Sequence, residues 1–402
     1  MSIAGLIAPD RAHAQWTQWG GPQRDFTAKD ARLSSEWPES GPKRLWERDL
    51  GHGYSTILVD EGVLYTLYRD GNQDVVAAMD AASGETKWEH RYDAPPYAGL
   101  DKSFGYGARA TPLIVDDRIY SVGAIGHLFC LDKKSGAVIW SHDLIGEYGG
   151  TKVRWGYSSS PIAYADTIIL PVGGSRHGIM AFDQETGKVK WSKHDFDNAY
   201  ASPLIIQVEG QEHLIAFVSD QVVGLDPRNG AKHWSHKHET SYDVNAASPV
   251  WCDDNILIVS SGYDTGTRAL QLSKKGRRVR AKELWFNRDL RVHHGNVIRI
   301  GDYIYGSHGK RGPAFLTAIH VKDGKTVWQE RGFAKTTALL ADGKLIVLDE
   351  DGKLGLISVS PDGMTIHQSV NLLERVAWTA PTLVGGTLYV RDLKKIMALD
   401  VG

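Results

Sequence analysis

The stretch MDAASGETKW (79–88) decides the fold because it recurs: LDKKSGAVIW (131–140), FDQETGKVKW (182–191), LDPRNGAKHW (225–234) and IHVKDGKTVW (319–328) repeat its spacing. Each copy holds Gly four residues before Trp, and four of the five hold Asp four residues before that Gly. An Asp side chain accepts hydrogen bonds from nearby backbone N–H groups, and Gly supplies the positive φ that closes a short hairpin. Trp46, Trp88, Trp140, Trp191, Trp234, Trp285 and Trp328 recur every 42 to 52 residues. That is the period of a four-stranded propeller blade. The tryptophans read as structural: a large apolar ring on an outer strand fills the wedge between diverging blades.

A second string recurs on the same period: RATP (109–112), SSSP (158–161), YASP (200–203), AASP (246–249) and WTAP (378–381). Proline donates no N–H, so in a sheet it belongs on an edge, and the small residues beside it suit a crowded axis. These strings mark innermost strands, starting near Tyr54, Arg109, Ser158, Tyr200, Ala246, His294, Lys335 and Trp378. The expected fold is therefore all-β, an eight-bladed β-propeller of four-stranded antiparallel blades. Blade seven is degenerate, with His367 expected in the tryptophan slot, and blade five carries a longer outer hairpin. After Asp400 the sequence runs Val401-Gly402, without the Gly and Trp at the repeat's spacing, while KRLWERDL (43–50) is an orphan outer strand. Residues 43–50 are expected to complete the eighth blade and close the ring, which removes an open sheet edge.

Three segments follow: residues 1–14, a lead-in at 15–42 that packs on the propeller, and the propeller at 43–402. In the first, Ala12-His13-Ala14 has the form of a signal-peptidase site, read as the remnant of an export signal. That reading implies a periplasmic or secreted protein. Lys plus Arg is 46 against 48 Asp plus Glu, a net charge of −2, which gives nucleic acid or an anionic membrane no electrostatic reason to bind. No apolar run reaches the roughly 18–20 residues of a membrane helix. Cys130 and Cys252 fall in different blades, too far apart for a disulfide.

These repeats resemble the PQQ-like (quinoprotein alcohol dehydrogenase-like) propeller family over residues 43–402. The opening QWTQWGGPQRDF (15–26) resembles the lead-in of its secreted bacterial members. The family implies quinoprotein dehydrogenases on one side and, on the other, the non-enzymatic propeller subunit of the outer-membrane barrel assembly machinery. Its dehydrogenases carry adjacent cysteines beside the quinone, an aspartate base, and Glu, Asn and Asp around calcium. This chain has no adjacent cysteines and no acidic cluster on its inner strands, so PQQ with calcium is not expected. Repeated residues build blades and say little of function.

Function is sought where the repeats differ. Three residues before the proline slot stand Tyr54, Arg109, Ser158, Tyr200, Ala246, His294, Lys335 and Trp378. One residue before it the chain is almost uniformly small: Thr56, Thr111, Ser160, Ser202, Ser248, Asn296, Thr337 and Ala380. A cationic and aromatic collar above small hydroxyls suits a ligand, with Tyr157, Asn245 and His293 joining from the rim. Arg109, Lys335 and a protonated His294 favour an anion; Tyr54, Tyr200 and Trp378 favour a sugar or another ring. In RVHHGN (291–296) strand alternation should send His293 and His294 to opposite faces, against a two-histidine metal site. The basic run KKGRRVRAK (274–282) reads as a solvated hairpin, and His236 and His238 as a weak metal pair at most.

The sequence thus points to an exported binding or scaffold module for a protein partner or an anionic or carbohydrate ligand, with no catalytic residue assigned. The alternatives are a polysaccharide lyase, with Arg109 or Lys335 neutralising a uronate and His294 or a tyrosine taking the proton, and, behind it, a PQQ-dependent dehydrogenase.

Overall fold

The computed structural model describes residues 15–34, 36–252, 254–276, 278–309 and 314–402. The Ala12-His13-Ala14 reading lies outside them, as does Arg277 of the basic run. Eight antiparallel sheets form the blades. Blades 1 to 7 take residues 58–93, 113–143, 162–193, 204–237, 250–287, 297–330 and 336–371. Inner and middle strands are buried on both faces, as in Val63–Asp70 and Lys344–Asp349, whereas outer strands such as Thr86–Asp93 are half exposed. Continuous apolar runs at the hub and mixed ones at the rim follow, because each sheet lies between two others.

Blade 8 joins Thr382–Val384, Thr387–Arg391 and Lys395–Asp400 to Lys43–Asp49, paired antiparallel from Lys43↔Asp400 to Asp49↔Lys395. The orphan strand therefore closes the ring. Arg391, fully buried, ties this blade to the first by donating to the carbonyls of Leu67 (2.9 Å) and Gly51 (3.1 Å).

The recurring motif works between blades. Asp132 Oδ1 accepts from the N–H groups of Lys134 (3.2 Å) and Ser135 (2.8 Å), and Gly136 closes the turn at φ 71°. A Cβ at Gly136 would lie 2.5 Å from the Trp88 ring, so the preceding blade's indole rests on this glycine. Trp88 Nε1 then donates to the Lys133 carbonyl at 3.1 Å. The same lock joins Trp46 to Gly84, Trp140 to Gly187, Trp191 to Gly230 and Trp285 to Gly324. Between blades 4 and 5 it is missing. Blade 5's outer hairpin is extended, Thr267–Lys275 against Arg278–Asn287, and the buried Trp234 Nε1 has no hydrogen-bond partner.

Register corrects one expectation. In every complete lock Trp faces a small residue across the pair, as Trp88 faces Ala78; the equivalent in blade 7 is Gln368, facing Leu356. His367 is the bulged residue beside it, and a bulge shifts what spacing alone would align. Gln368 Nε2 donates to the Pro38 carbonyl at 2.9 Å, so the lead-in covers this junction.

The lead-in also crosses the axis. Trp16 pairs with Val59 of blade 1, Thr17 accepts from the Ile114 N–H of blade 2 (2.9 Å), and Arg24 donates to the Pro161 carbonyl (3.3 Å). Trp19 Nε1 donates to Ser248 Oγ (2.9 Å), and Thr27–Ala28 adds a parallel fifth strand to blade 7. These partners sit around the ring, so residues 16–28 stop one end of the channel.

Candidate functional site

The proline of each string stands immediately before the ladder: Pro112 precedes Leu113–Val115, and Pro381 precedes Thr382–Val384. Collar residues therefore lie in irregular backbone above the strands, free of strand alternation. Tyr54, Arg109, Ser158, Tyr200, Ala246, His294 and Trp378 line one cavity of about 160 Å³, together with His293, Trp19, Phe104, Trp155, Val244 and Tyr263. Trp19 comes from the plug, and Phe104, 45% exposed, stands at the opening.

Aromatic rings form the walls. His294 stacks on Trp378 at 4.4 Å and 25° between planes, and Trp378 stacks on Tyr54 at 5.2 Å and 24°. The Arg109 guanidinium continues the column, 4.7 Å from the Tyr54 ring centre. Across the cavity, Trp155 meets Tyr200 (5.8 Å) and Tyr263 (6.2 Å), and Tyr263 meets His293 (5.1 Å). Such pairs are worth roughly 0.5–1.5 kcal/mol each beyond the area they bury.

Arg109 is held by Nε to the Trp155 carbonyl (2.7 Å) and Nη2 to the Gly105 carbonyl (2.9 Å). Among the described residues no carboxylate forms an ion pair with it. Burial lowers its pKa, the opposing effect of Tyr54 being smaller. A desolvated cation without a counter-ion draws an anion.

Other expected groups are placed differently. Lys335 lies outside the lining and pairs with the buried Glu350 at 3.1 Å, so its charge is already balanced. The protonated His294 expected of the collar is disfavoured: burial, His293 and Lys335 hold its pKa well below 6.5, and both ring nitrogens are buried without a partner. Tyr157 is fully buried, donating to the Val172 carbonyl (2.9 Å). Asn245 is likewise buried, donating to the Val218 carbonyl (2.8 Å). Neither lines the cavity. His293 and His294 do not diverge: the strand begins only at Val297, the preceding backbone bends, and their rings lie 5.2 Å apart on the same cavity.

The small residues below the collar bind the protein itself. Thr56 N–H donates to Thr111 Oγ1 (3.1 Å), Thr111 N–H to Ser160 Oγ (2.8 Å) and Ser160 N–H to Ser202 Oγ (2.9 Å). Each hydroxyl satisfies the neighbouring blade's N–H, so the ring is a seam.

Elsewhere, the strand Lys232–Lys237 ends before His238, which is buried against Phe217 while His236 lies 3.6 Å from Glu283. Among the described residues, no group of three or more His, Cys, Asp or Glu could hold a metal. Cys130 and Cys252 are buried and are not joined in a disulfide. No described helix is long and apolar enough to cross a membrane. Phe104 and Trp155 come from loops between blades, and Tyr263 from the loop between Ile256–Ser260 and Thr267–Lys275 within blade 5, where no repeat marks position; Trp19 could be found only as a tryptophan ahead of the repeats.

The family model described as outer membrane protein assembly factor BamB (PQQ_2) matches residues 75–330. The alcohol dehydrogenase (quinone) dehydrogenase subunit of Gluconacetobacter polyoxogenes is 30% identical over 192 residues, 46% of this chain and 26% of that protein. Quinohemoprotein alcohol dehydrogenase ADH IIB of Pseudomonas putida is 29% identical over 197 residues, 46% of this chain and 27% of that protein. The chain thus spans about a quarter of the length of these relatives. Among solved structures, BamB from Moraxella catarrhalis superposes with a TM-score of 0.63 at 14% identity, over 89% of this chain and 99% of that one. Quinohemoprotein alcohol dehydrogenase from Comamonas testosteroni superposes at 0.67 and 13% identity, over 97% and 81%. At such identities the likeness establishes a common propeller.

Proposed function

Since the chain belongs to the PQQ-like propeller-repeat family described as outer membrane protein assembly factor BamB, we propose that it is an exported, non-catalytic binding module. The collar at its open mouth takes an anionic or sugar-like ring, and the blades give a rigid frame to a protein partner. One observation carries the ligand half: Arg109, fixed by two carbonyls and without a carboxylate partner among the described residues, borders a cavity walled by aromatic rings. Placement outside the cytoplasm and a protein partner are supported by the family's description, which refers to outer-membrane assembly.

The quinone–calcium pair implied by the dehydrogenase relatives does not fit this cavity. Calcium takes six to eight oxygen ligands, with carboxylates prominent among them. The cavity lining contains no Asp or Glu, and nearby Glu350 is spent on Lys335 and Trp378 Nε1 (3.2 Å). A lyase fits no better, because a base must reach the proton it takes. Both His294 nitrogens are shut off from solvent, and burial chiefly raises the Tyr200 pKa, which holds its proton on.

The test is intrinsic tryptophan fluorescence during titration with uronate oligosaccharides, neutral oligosaccharides and small aromatic acids. Trp155 and Trp378 report directly, so saturable quenching by at least one anionic probe, lost in Arg109→Gln, is the expected result. No saturable response from any probe would sink the ligand half.

A further inference from the structure

We propose that the ligand is a planar aromatic monoanion, a one-ring arenecarboxylate, in preference to a sugar acid. This deepens the binding reading and rests on it. Size is the first argument. A cavity of roughly 150 Å³ admits a benzene ring, and this one measures about 160 Å³. Shape is the second: the rings of the column His294–Trp378–Tyr54 cover one another's faces, with 25° and 24° between planes, so the wall meets a guest mainly by ring edges, the edge-to-face contact an aromatic ring accepts.

The polar inventory decides between the candidates. A pyranose carries several hydroxyls, and each one buried without a partner costs affinity. The lining's polar atoms are largely committed. Ser160 Oγ and Ser202 Oγ accept backbone N–H groups at 2.8 and 2.9 Å, and Ser158 Oγ donates to the Gly156 carbonyl at 3.2 Å. Tyr54 donates to the Phe104 carbonyl, and Trp378 Nε1 to Glu350 at 3.2 Å. The charged group that is left is one guanidinium, already fixed in place by Trp155 and Gly105. One cation calls for one carboxylate; aromatic walls call for an aromatic body.

The experiment titrates the full chain with benzoate, glucuronate and benzyl alcohol, read by calorimetry and tryptophan fluorescence. Benzoate is expected to bind with a dissociation constant of about 1 mM or tighter, given its few heavy atoms. It should bind at least ~10-fold tighter than either of the others. Arg109→Gln should erase the preference for benzoate over benzyl alcohol, while Arg109→Lys keeps part of it and separates lost charge from lost fold. Glucuronate binding more tightly than benzoate overturns this inference and leaves the binding reading intact. Benzyl alcohol matching benzoate also overturns it, since charge is then idle. No binding of any of the three, with the oligosaccharide titration also silent, overturns both.

Discussion

Seven outer strands carry tryptophan at one position of the repeat, whereas the eight collar positions carry seven residue types. At the rim, Trp46, Trp88, Trp140, Trp191 and Trp285 all make the same lock on the glycine of the next blade. At the hub, Tyr54, Arg109, His294 and Trp378 converge on one cavity although no two of these four are alike. Identical solutions mark a problem that every blade shares, the filling of a wedge. Divergent residues on equivalent backbone mark a problem the molecule solves once. The contrast separates what maintains the ring from what the ring can hold.

Removing residues 43–50 attacks the rim hardest, because it strips Lys395–Asp400 of its partner and takes away Trp46. Cooperative thermal unfolding is expected to be lost, with blade 8 cut first in limited proteolysis; an unchanged melting curve would refute ring closure. Trp140→Ala should cost on the order of 3–5 kcal/mol in denaturant unfolding, as large-to-small changes at packed aromatic sites do. A hub substitution such as Arg109→Gln, which gives up two bonds to carbonyls but also a desolvated charge, should cost less stability than Trp140→Ala while weakening benzoate at least ~10-fold. If Trp140→Ala and Arg109→Gln damage stability equally, the division between rim and hub fails.

Acid sharpens the comparison. Burial lowers the pKa of His213 to about 4 and that of His238 to about 3, and their ring nitrogens are buried without partners. Both bind a proton more weakly folded than unfolded, where the value is about 6.5, so stability rises with pH. The loss should begin as pH falls below about 6.5 and level off near the folded values, amounting to a few kcal/mol. His238→Leu should flatten that slope in urea titrations between pH 7 and 4; an unaltered slope would mean that His238 is not buried neutral. The smallest effect compares two rim positions. Trp140→Phe gives up its bond to the Gln184 carbonyl (3.0 Å) and should cost about 1 kcal/mol more than Trp234→Phe, whose indole N–H has none to lose.

Regular features were legible because periodicity reports them. Blade number, the closing strand, the turn chemistry of Asp132 and Gly136, and the collar positions all follow from spacing. What spacing missed was irregular. His293 and His294 share the cavity because a bend precedes Val297, where alternation does not hold. A bulge moves Gln368 into the slot expected for His367. The charge of Lys335 is spent on Glu350, a residue some fifteen positions away that no motif marks. Trp155 and Tyr263 complete the cavity from loops whose lengths differ from blade to blade, so their approach depends on tertiary structure.

The segment from Trp16 to Ala28 turns a tunnel into a well. Among the described residues, traffic then runs in and out at the mouth where Phe104 stands. How long a guest stays is then governed at that doorway, so Phe104→Ala should speed departure by a larger factor than it speeds arrival, since it removes both a barrier and a lining ring.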